Sequence, residues 1–333
     1  MNLALRPLLE IRNLSINYHS SSQIIRAVRD VSFHISEGET VALVGETGSG
    51  KTTVALSILG LLGRQARMES GEILFEGRSI QSLESREWRR IRGRKIGIAF
   101  QDARSALNPV LTIKDHFVET LRSHQPLSKK EAKEIALGLL REVGIADGQE
   151  DRYSFELSGG ACQRVGIGLA ICNRPRLLIA DEPVSSVDAT LQAHILDLLR
   201  NMKQIHNLAL LLISHDLPLI SQVADRTCVM YHGRIVESGF SDEVFASPSH
   251  PYTLGLIRSQ PGLQHHHETN PLTPIPGSMP ASGADLPGCI FAPRCLEAVP
   301  QCGEMVPDSR VLSKTHWAAC IKFPMRRDKG VKE

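Results

Sequence analysis

The run Gly45-Glu46-Thr47-Gly48-Ser49-Gly50-Lys51-Thr52 sets glycines, a lysine and a hydroxyl side by side. Phosphate oxygens need many convergent donors at close range. Glycines allow a tight loop whose N–H groups point inward, and a helix N-terminus adds partial positive charge. Lys51 suits the β- and γ-phosphates, and the Thr52 hydroxyl suits Mg²⁺. Farther along, Asp181 and Glu182 follow the apolar run Leu177-Leu178-Ile179-Ala180. The first carboxylate is placed for the metal, the second to orient or deprotonate an attacking water. His215 ends the next apolar run, Leu211-Leu212-Ile213-Ser214, where a γ-phosphate contact is expected. Gln101, leaving Ile98-Ala99-Phe100, offers a ligand to Mg²⁺ or water, and Tyr18 offers a face for adenine stacking. Taken singly, the glutamine is an ordinary loop residue and the tyrosine an ordinary sheet cover.

These residues need strands that end at the site and helices that start there. Residues 8–18 and 24–35 alternate as strands of an antiparallel sheet around a Ser-rich turn at 20–22. Thr40 to Val44 reads as a short buried strand running into Gly45. From Thr52 the spacing of Val54, Ile58 and Leu62, with Ala55 and Leu59 beside them, predicts a helix. Residues 104–170 read as mostly helical. There Ser128 and Glu131 form a capping box before the face Ala132, Ile135, Leu139 and Val143, and Gly144 stands at the C-cap. The runs 177–180 and 208–213 read as buried parallel strands, joined by an amphipathic helix through Leu191, Ile195, Leu198 and Met202.

The totals narrow the class. At 333 residues, one large and one smaller domain fit. A hydrophobic share of 42% and a charged share of 22% are those of a globular chain. No apolar run approaches the roughly 18 residues of a membrane span, so any membrane role is expected through a partner. The N-terminus carries no signal-peptide pattern. A net charge of +2 argues against broad nucleic-acid binding. The seven cysteines are therefore expected reduced unless they hold a metal.

Gly45 to Thr52, Gln101, Leu157-Ser158-Gly159-Gly160-Ala161-Cys162-Gln163-Arg164, Leu177 to Pro183, Asp188 and His215, in that order and spacing, resemble the ATP-binding cassette ATPases of ABC transporters. The resemblance covers about residues 8–245. It implies an α/β P-loop NTPase cassette with a RecA-like core, an antiparallel β-subdomain and a helical subdomain at about 104–170. It also implies an ATPase that sandwiches two ATPs between two subunits. In that arrangement Gly45, Glu46, Thr47, Gly48, Ser49, Gly50, Lys51, Thr52 and Thr53 hold the phosphates, with Tyr18 at the base. Gln101 is the coupling glutamine, Asp181 the metal carboxylate, Glu182 the catalytic base and His215 the γ-phosphate sensor. Ser158, Gly159 and Gly160 are the signature facing the partner's ATP, and Asp188 makes the dimer contact. Three departures stand out: Val187 before Asp188 where alanine is usual, Cys162 inside the signature, and Ala103 where proline often follows the coupling segment. None removes a charged or phosphate-contacting group.

From about residue 245 prolines dominate, around the run His265-His266-His267, which reads as solvated linker rather than metal site. Ser249-His250-Pro251-Tyr252-Thr253, Pro274-Ile275-Pro276-Gly277, Gly288-Cys289 and Pro293-Arg294-Cys295 resemble the C-terminal extension of dipeptide/oligopeptide importer ATPases, a group that includes nickel importers. An irregular, Cys-rich extension over 246–333 is thus expected after the cassette at 1–245. Cys289, Cys295, Cys302 and Cys320 are spaced for a [4Fe–4S] cluster or Zn²⁺, with unligated thiols the remaining option. No Cys-x2-Cys pair is present, which tilts the choice toward iron–sulfur. Cys162, Cys172 and Cys228 read as packed apolar residues. The resemblance implies a peripheral subunit on the cytoplasmic face of the inner membrane. Its expected partners are a paralogous ATPase, two transmembrane permeases and, indirectly, an extracytoplasmic solute-binding protein. Import of peptides or similar solutes is expected; a nickel or metal-complex importer, or a non-transport ABC ATPase acting on DNA or ribosomes, is the alternative.

Overall fold

In the computed structural model the described residues are 7–21, 23–184, 189–260, 272–281, 284 and 286–322. By their contacts they divide into two compact units, one within Met1–Leu9, Ile35–Thr40 and Phe75–Ile213, the other within Glu10–His34, Val41–Leu74 and Ser214–Glu333. No helix among the described residues is long and apolar enough to cross a membrane.

The first unit is built on a parallel ladder. Ile96–Ala99 pairs with Leu177–Asp181, which pairs in turn with Ala209–Ser214, placing Asp181 opposite Ile213. Leu177 to Ala180 are wholly buried, as expected of parallel strands covered on both faces. The helix Gly159–Ile171 lies so close to Gly97 that a Cβ there would stand 2.0 Å from the Ala170 carbonyl oxygen. Around it sit Ile113–His124, started by Thr112, and Lys129–Glu142, started by the expected Ser128–Glu131 capping box. Gly144, at φ 72°, follows the C-cap Val143. The buried row of Lys129–Glu142 is Ala132, Ala136 and Leu140, continued by Val143, whereas Ile135 is 40% exposed. The expected face is thus rotated toward two alanines, whose small side chains let neighbouring helices approach closely.

The second unit carries the sheet in which Leu9–His19 lies between Ile24–Ile35 and Ala66–Phe75. Val41 to Val44, in the strand Thr40–Val44, run parallel to Arg226 to Val229. The helix Lys51–Ile58 buries Val54, Ala55 and Ile58 as expected but stops short of Leu62. Gly60 at φ 59° turns the chain away there. Arg226–Tyr231 and Arg234–Phe240 form an antiparallel hairpin, and its two turn residues, His232 (φ 45°) and Gly233 (φ 86°), fit the type I′ geometry.

The segment beyond 245 is more regular than its prolines imply. Trp317–Ala318 pairs antiparallel with Glu237 and Ser238, and Arg310–Val311 pairs with Trp317–Ala318, so the sheet edge is extended. Glu237 is fully buried, accepting from Ser249 N (2.7 Å) and His250 N (2.9 Å), with His316 Nε2 at 2.7 Å. His250 caps the helix Pro251–Ser259 by accepting at Nδ1 from Tyr252 N, 3.1 Å away. Tyr231, Tyr252 and Phe291 close around each other at centroid distances of 4.6, 5.2 and 5.3 Å.

That packing makes the unit acid-sensitive. Burial pushes the His250 imidazole down to about 3, and its capping role requires an unprotonated Nδ1. The unfolded chain binds the proton near its ordinary value of about 6.5. Between the two values the unfolded state holds more protons, so stability is complete above about pH 6.5 and is lost as pH falls. Urea melts across pH 4–6 should show His250 contributing a loss of about 1.4 kcal/mol for each unit that the pH falls. His250→Asn keeps a capping oxygen and should flatten that slope; equal slopes in both proteins would sink the assignment.

Candidate functional site

Strand Thr40–Val44 delivers the chain to Gly45, and the helix Lys51–Ile58 begins after Gly50. Gly45, Gly48 and Gly50 adopt φ of 149°, 83° and 104°. At Gly45 a Cβ would lie 2.1 Å from the Met230 carbonyl oxygen, so no side chain fits. The loop is therefore closed by backbone packing, with Ser49 N donating to Glu46 O (3.2 Å) and Gly233 N to Ser49 O (2.9 Å). Lys51 is buried, its Nζ donating to the carbonyls of Gly45 (2.7 Å) and Glu46 (2.9 Å) and lying 3.3 Å from Ser49 Oγ. Thr52 is exposed; Tyr18 Oη lies 3.4 Å from Thr53 Oγ1, bringing the ring to the helix that follows the loop.

His215 is exposed, just after the strand Ala209–Ser214. Gln260 grips its loop twice: Nε2 donates to His215 O (2.6 Å) and Oε1 accepts from Leu217 N (2.9 Å). Gly45, Glu46, Thr47 and His215 line one cleft of about 560 Å³, with Gln260 and Arg294 on its wall. Two loops expected to meet the phosphates thus share a cavity. Nothing in the sequence marks Gln260, Tyr252 and Arg294 as site residues. Tyr252 Oη accepts from Glu46 N at 2.9 Å, and Arg294 pairs with the Glu46 carboxylate. Their only signal was membership in the proline-rich tail.

Asp181, Glu182, Gln101 and the signature belong to the other unit. Asp181 is buried at the end of Leu177–Asp181. Glu182 follows at φ 49°, unusual for a residue with a Cβ, and its N–H donates to Ile213 O at 2.9 Å. Such left-handed geometry is often retained where a side chain must be aimed. Gln101 is exposed beyond Ile96–Ala99. Ser158 caps the helix Gly159–Ile171, its Oγ accepting from Ala161 N at 3.2 Å, and both Ser158 and Gly159 are exposed. Cys162 points inward, 1% exposed, with Sγ donating to Ser154 O at 3.3 Å. The unusual signature cysteine therefore occupies a packing position behind the exposed Ser-Gly surface. Ser185, Ser186, Val187, Asp188 and His265 to His267 lie outside the described residues.

Cys289, Cys295, Cys302 and Cys320 all line one small pocket, with His250, Phe291 and Pro307 among its other walls. Cys289 N donates to Cys302 O at 2.7 Å, which draws two of these residues together. Burial, then the neighbouring thiols, pushes the Cys289 and Cys295 thiols up. Among the described residues no group of three or more His, Cys, Asp or Glu is arranged to hold a metal ion. Cys172 and Cys228 are buried elsewhere, burial pushing Cys172 up to about 12.

Comparison with known proteins gives two family matches: ABC transporter over residues 28–185, and the oligopeptide/dipeptide transporter C-terminal region over 236–302. A peptide import ATP-binding protein of Brucella melitensis is 44% identical over 331 residues, covering 96% of this chain and 98% of that protein. The oligopeptide transport ATP-binding protein OppD of Mycobacterium tuberculosis is 41% identical, over 95% of this chain and 52% of its own length. Among solved structures, a dimeric ATP-binding cassette in a post-hydrolysis state with ADP and Pi superposes with a TM-score of 0.64 at 26% identity, covering 70% of this chain and 98% of that one. A cbiO1 subunit from Clostridium perfringens, part of the ABC transporter complex cbiONQ, gives 0.63 at 27% identity over 72% of this chain and 91% of its own. With this phosphate loop, this signature helix and a full-length relative at 44% identity, the chain belongs to the ATP-binding subunits of ABC transporters, in the oligopeptide/dipeptide group.

Proposed function

We propose that this chain hydrolyses ATP to drive import of peptides across the cytoplasmic membrane, acting from its inner face beside a paralogous ATPase and two permease subunits. An extracytoplasmic binding protein delivers the solute to the permeases. The observation that carries the reading is the loop itself: Lys51 is folded onto the Gly45 and Glu46 carbonyls, and Gly45, Glu46 and Thr47 line one cleft with His215.

ATP enters with its phosphates over the N–H groups of Gly45 to Thr52, and Lys51 exchanges loop carbonyls for phosphate oxygens. Tyr18 stacks on adenine, a role its place beside Thr53 supports. Thr52, Gln101 and Asp181 offer a hydroxyl, an amide and a carboxylate, an all-oxygen donor set that fits Mg²⁺. When bound, Mg²⁺ neutralises charge on the β- and γ-oxygens. Glu182 takes the proton of the attacking water while His215 holds the γ-phosphate. Ser158 to Gly160 cap the partner subunit's ATP, with Asp188 at the dimer contact. The four pocket cysteines offer only sulfur, a donor set that suits a [4Fe–4S] cluster pinning the tail.

Co-expression with candidate permeases tests the reading. The chain should sediment with membranes only when they are present, and its ATPase should respond to a peptide-loaded binding protein. Soluble behaviour in their presence, with association to DNA or ribosomes, would overturn it.

A further inference from the structure

The C-terminal tail reaches the phosphate loop at Glu46, through an ion pair and a backbone hydrogen bond. Arg294 Nη1 and Nη2 donate to Glu46 Oε2 (2.7 Å) and Oε1 (3.1 Å), a bidentate fork. The guanidinium is only 5% exposed, while the Glu46 side chain is 31% exposed. Arg294 is itself held: Nε donates to Pro276 O at 2.9 Å, its N–H to Phe291 O at 2.9 Å, and Tyr231 Oη lies 3.5 Å from Nη1. Glu46 makes a second contact with the tail, its N–H donating to Tyr252 Oη at 2.9 Å. Tyr252 is fully buried against Tyr231 and Phe291, so this oxygen has a fixed position.

Glu46 is a negative charge within a loop that must accept a polyphosphate. An unpaired carboxylate at that point opposes anion entry, and unlike charges at close range are strongly favoured in a partly buried site. We propose that Arg294 is a positioning residue for ATP binding, neutralising Glu46 and, with Tyr252, holding the phosphate loop in its receptive form. The Cys-containing extension thereby becomes part of the nucleotide site rather than a separate appendage. This rests on the reading of the chain as an ATPase. Arg294 contacts the loop at Glu46, so its effect falls on nucleotide capture rather than on the chemical step.

The test is steady-state ATP hydrolysis by the full chain in its assembled transporter. Arg294→Ala should raise KM for ATP about tenfold with little change in kcat, and Arg294→Lys should give an intermediate KM because the charge stays and the fork is lost. If Arg294 acts by neutralising Glu46, its removal in a Glu46→Gln background should add almost nothing, giving a large coupling in the double-mutant cycle. A normal KM in Arg294→Ala, or an equal penalty in both backgrounds, overturns the proposal. Should Arg294→Ala melt below the assay temperature, the Arg294→Lys pair of measurements decides by the same criterion. Failure of the unaltered protein to hydrolyse ATP would instead overturn the ATPase reading.

Discussion

Glu182→Gln is expected to lower ATP turnover by about 10²–10⁴-fold while leaving ATP binding in place. The amide has the shape of the carboxylate but cannot accept the proton of water. The substitution is unusually clean here because the special backbone is not at risk. Glu182 sits at φ 49° with its N–H on Ile213 O, and glutamine imposes no new demand on either. Asp181, buried at the strand end, keeps its place. ATP should then be bound without being consumed, and the subunit should accumulate as an ATP-dependent dimer with its partner. Single-turnover hydrolysis and size-exclusion chromatography with and without ATP read the two effects separately. Turnover within tenfold of the unaltered protein would remove Glu182 from the role of base.

The sequence makes legible the chemistry that is local along the chain. The phosphate loop could be read because its donors are successive residues between one strand and one helix. The Ser128–Glu131 box could be read because both reciprocal bonds span three positions. Distance along the chain hid the rest. Arg294 and Glu46 are 248 residues apart, and nothing near either one announces the pairing. Glu237 interrupts the apolar strand Arg234–Phe240, and the sequence gives no hint that Ser249, His250 and His316 satisfy it. The strands Arg310–Val311 and Trp317–Ala318 are two residues each, too short for alternation to register. On Lys129–Glu142 the apolar pattern was right in period but misplaced in phase, because alanines at 132 and 136 carry the packed row while the larger Ile135 faces outward. Cys162 shows the reverse case: an odd residue in the signature proved to be a buried neighbour of Ser154, on the side away from the exposed serine and glycine.

Purified without oxygen, the full chain is expected to show broad visible absorbance and about four iron atoms per chain. The four cysteines are spread over the segment 289–320, yet all of them border one pocket. Backbone packing makes the convergence specific: Cys289 N is bonded to Cys302 O, and a Cβ on Gly288 would stand 2.3 Å from that same oxygen. A mononuclear zinc site needs its sulfurs gathered about 2.3 Å from one ion. Among the described residues no group of three or more His, Cys, Asp or Glu is arranged to hold a metal ion, so the expectation of a cluster rests on the four thiols that border one pocket and on their all-sulfur donor set. Cys295→Ser should abolish the absorbance and the iron. Cys228→Ser should keep both, because Cys228 is buried against Ser238 Oγ at 3.2 Å and does not border the pocket. Colourless protein with one zinc per chain, or iron retained after Cys295→Ser, would refute the cluster. The readout is independent of ATP turnover, so it separates what the thiols hold from what Arg294, their neighbour in the same turn, does to the phosphate loop.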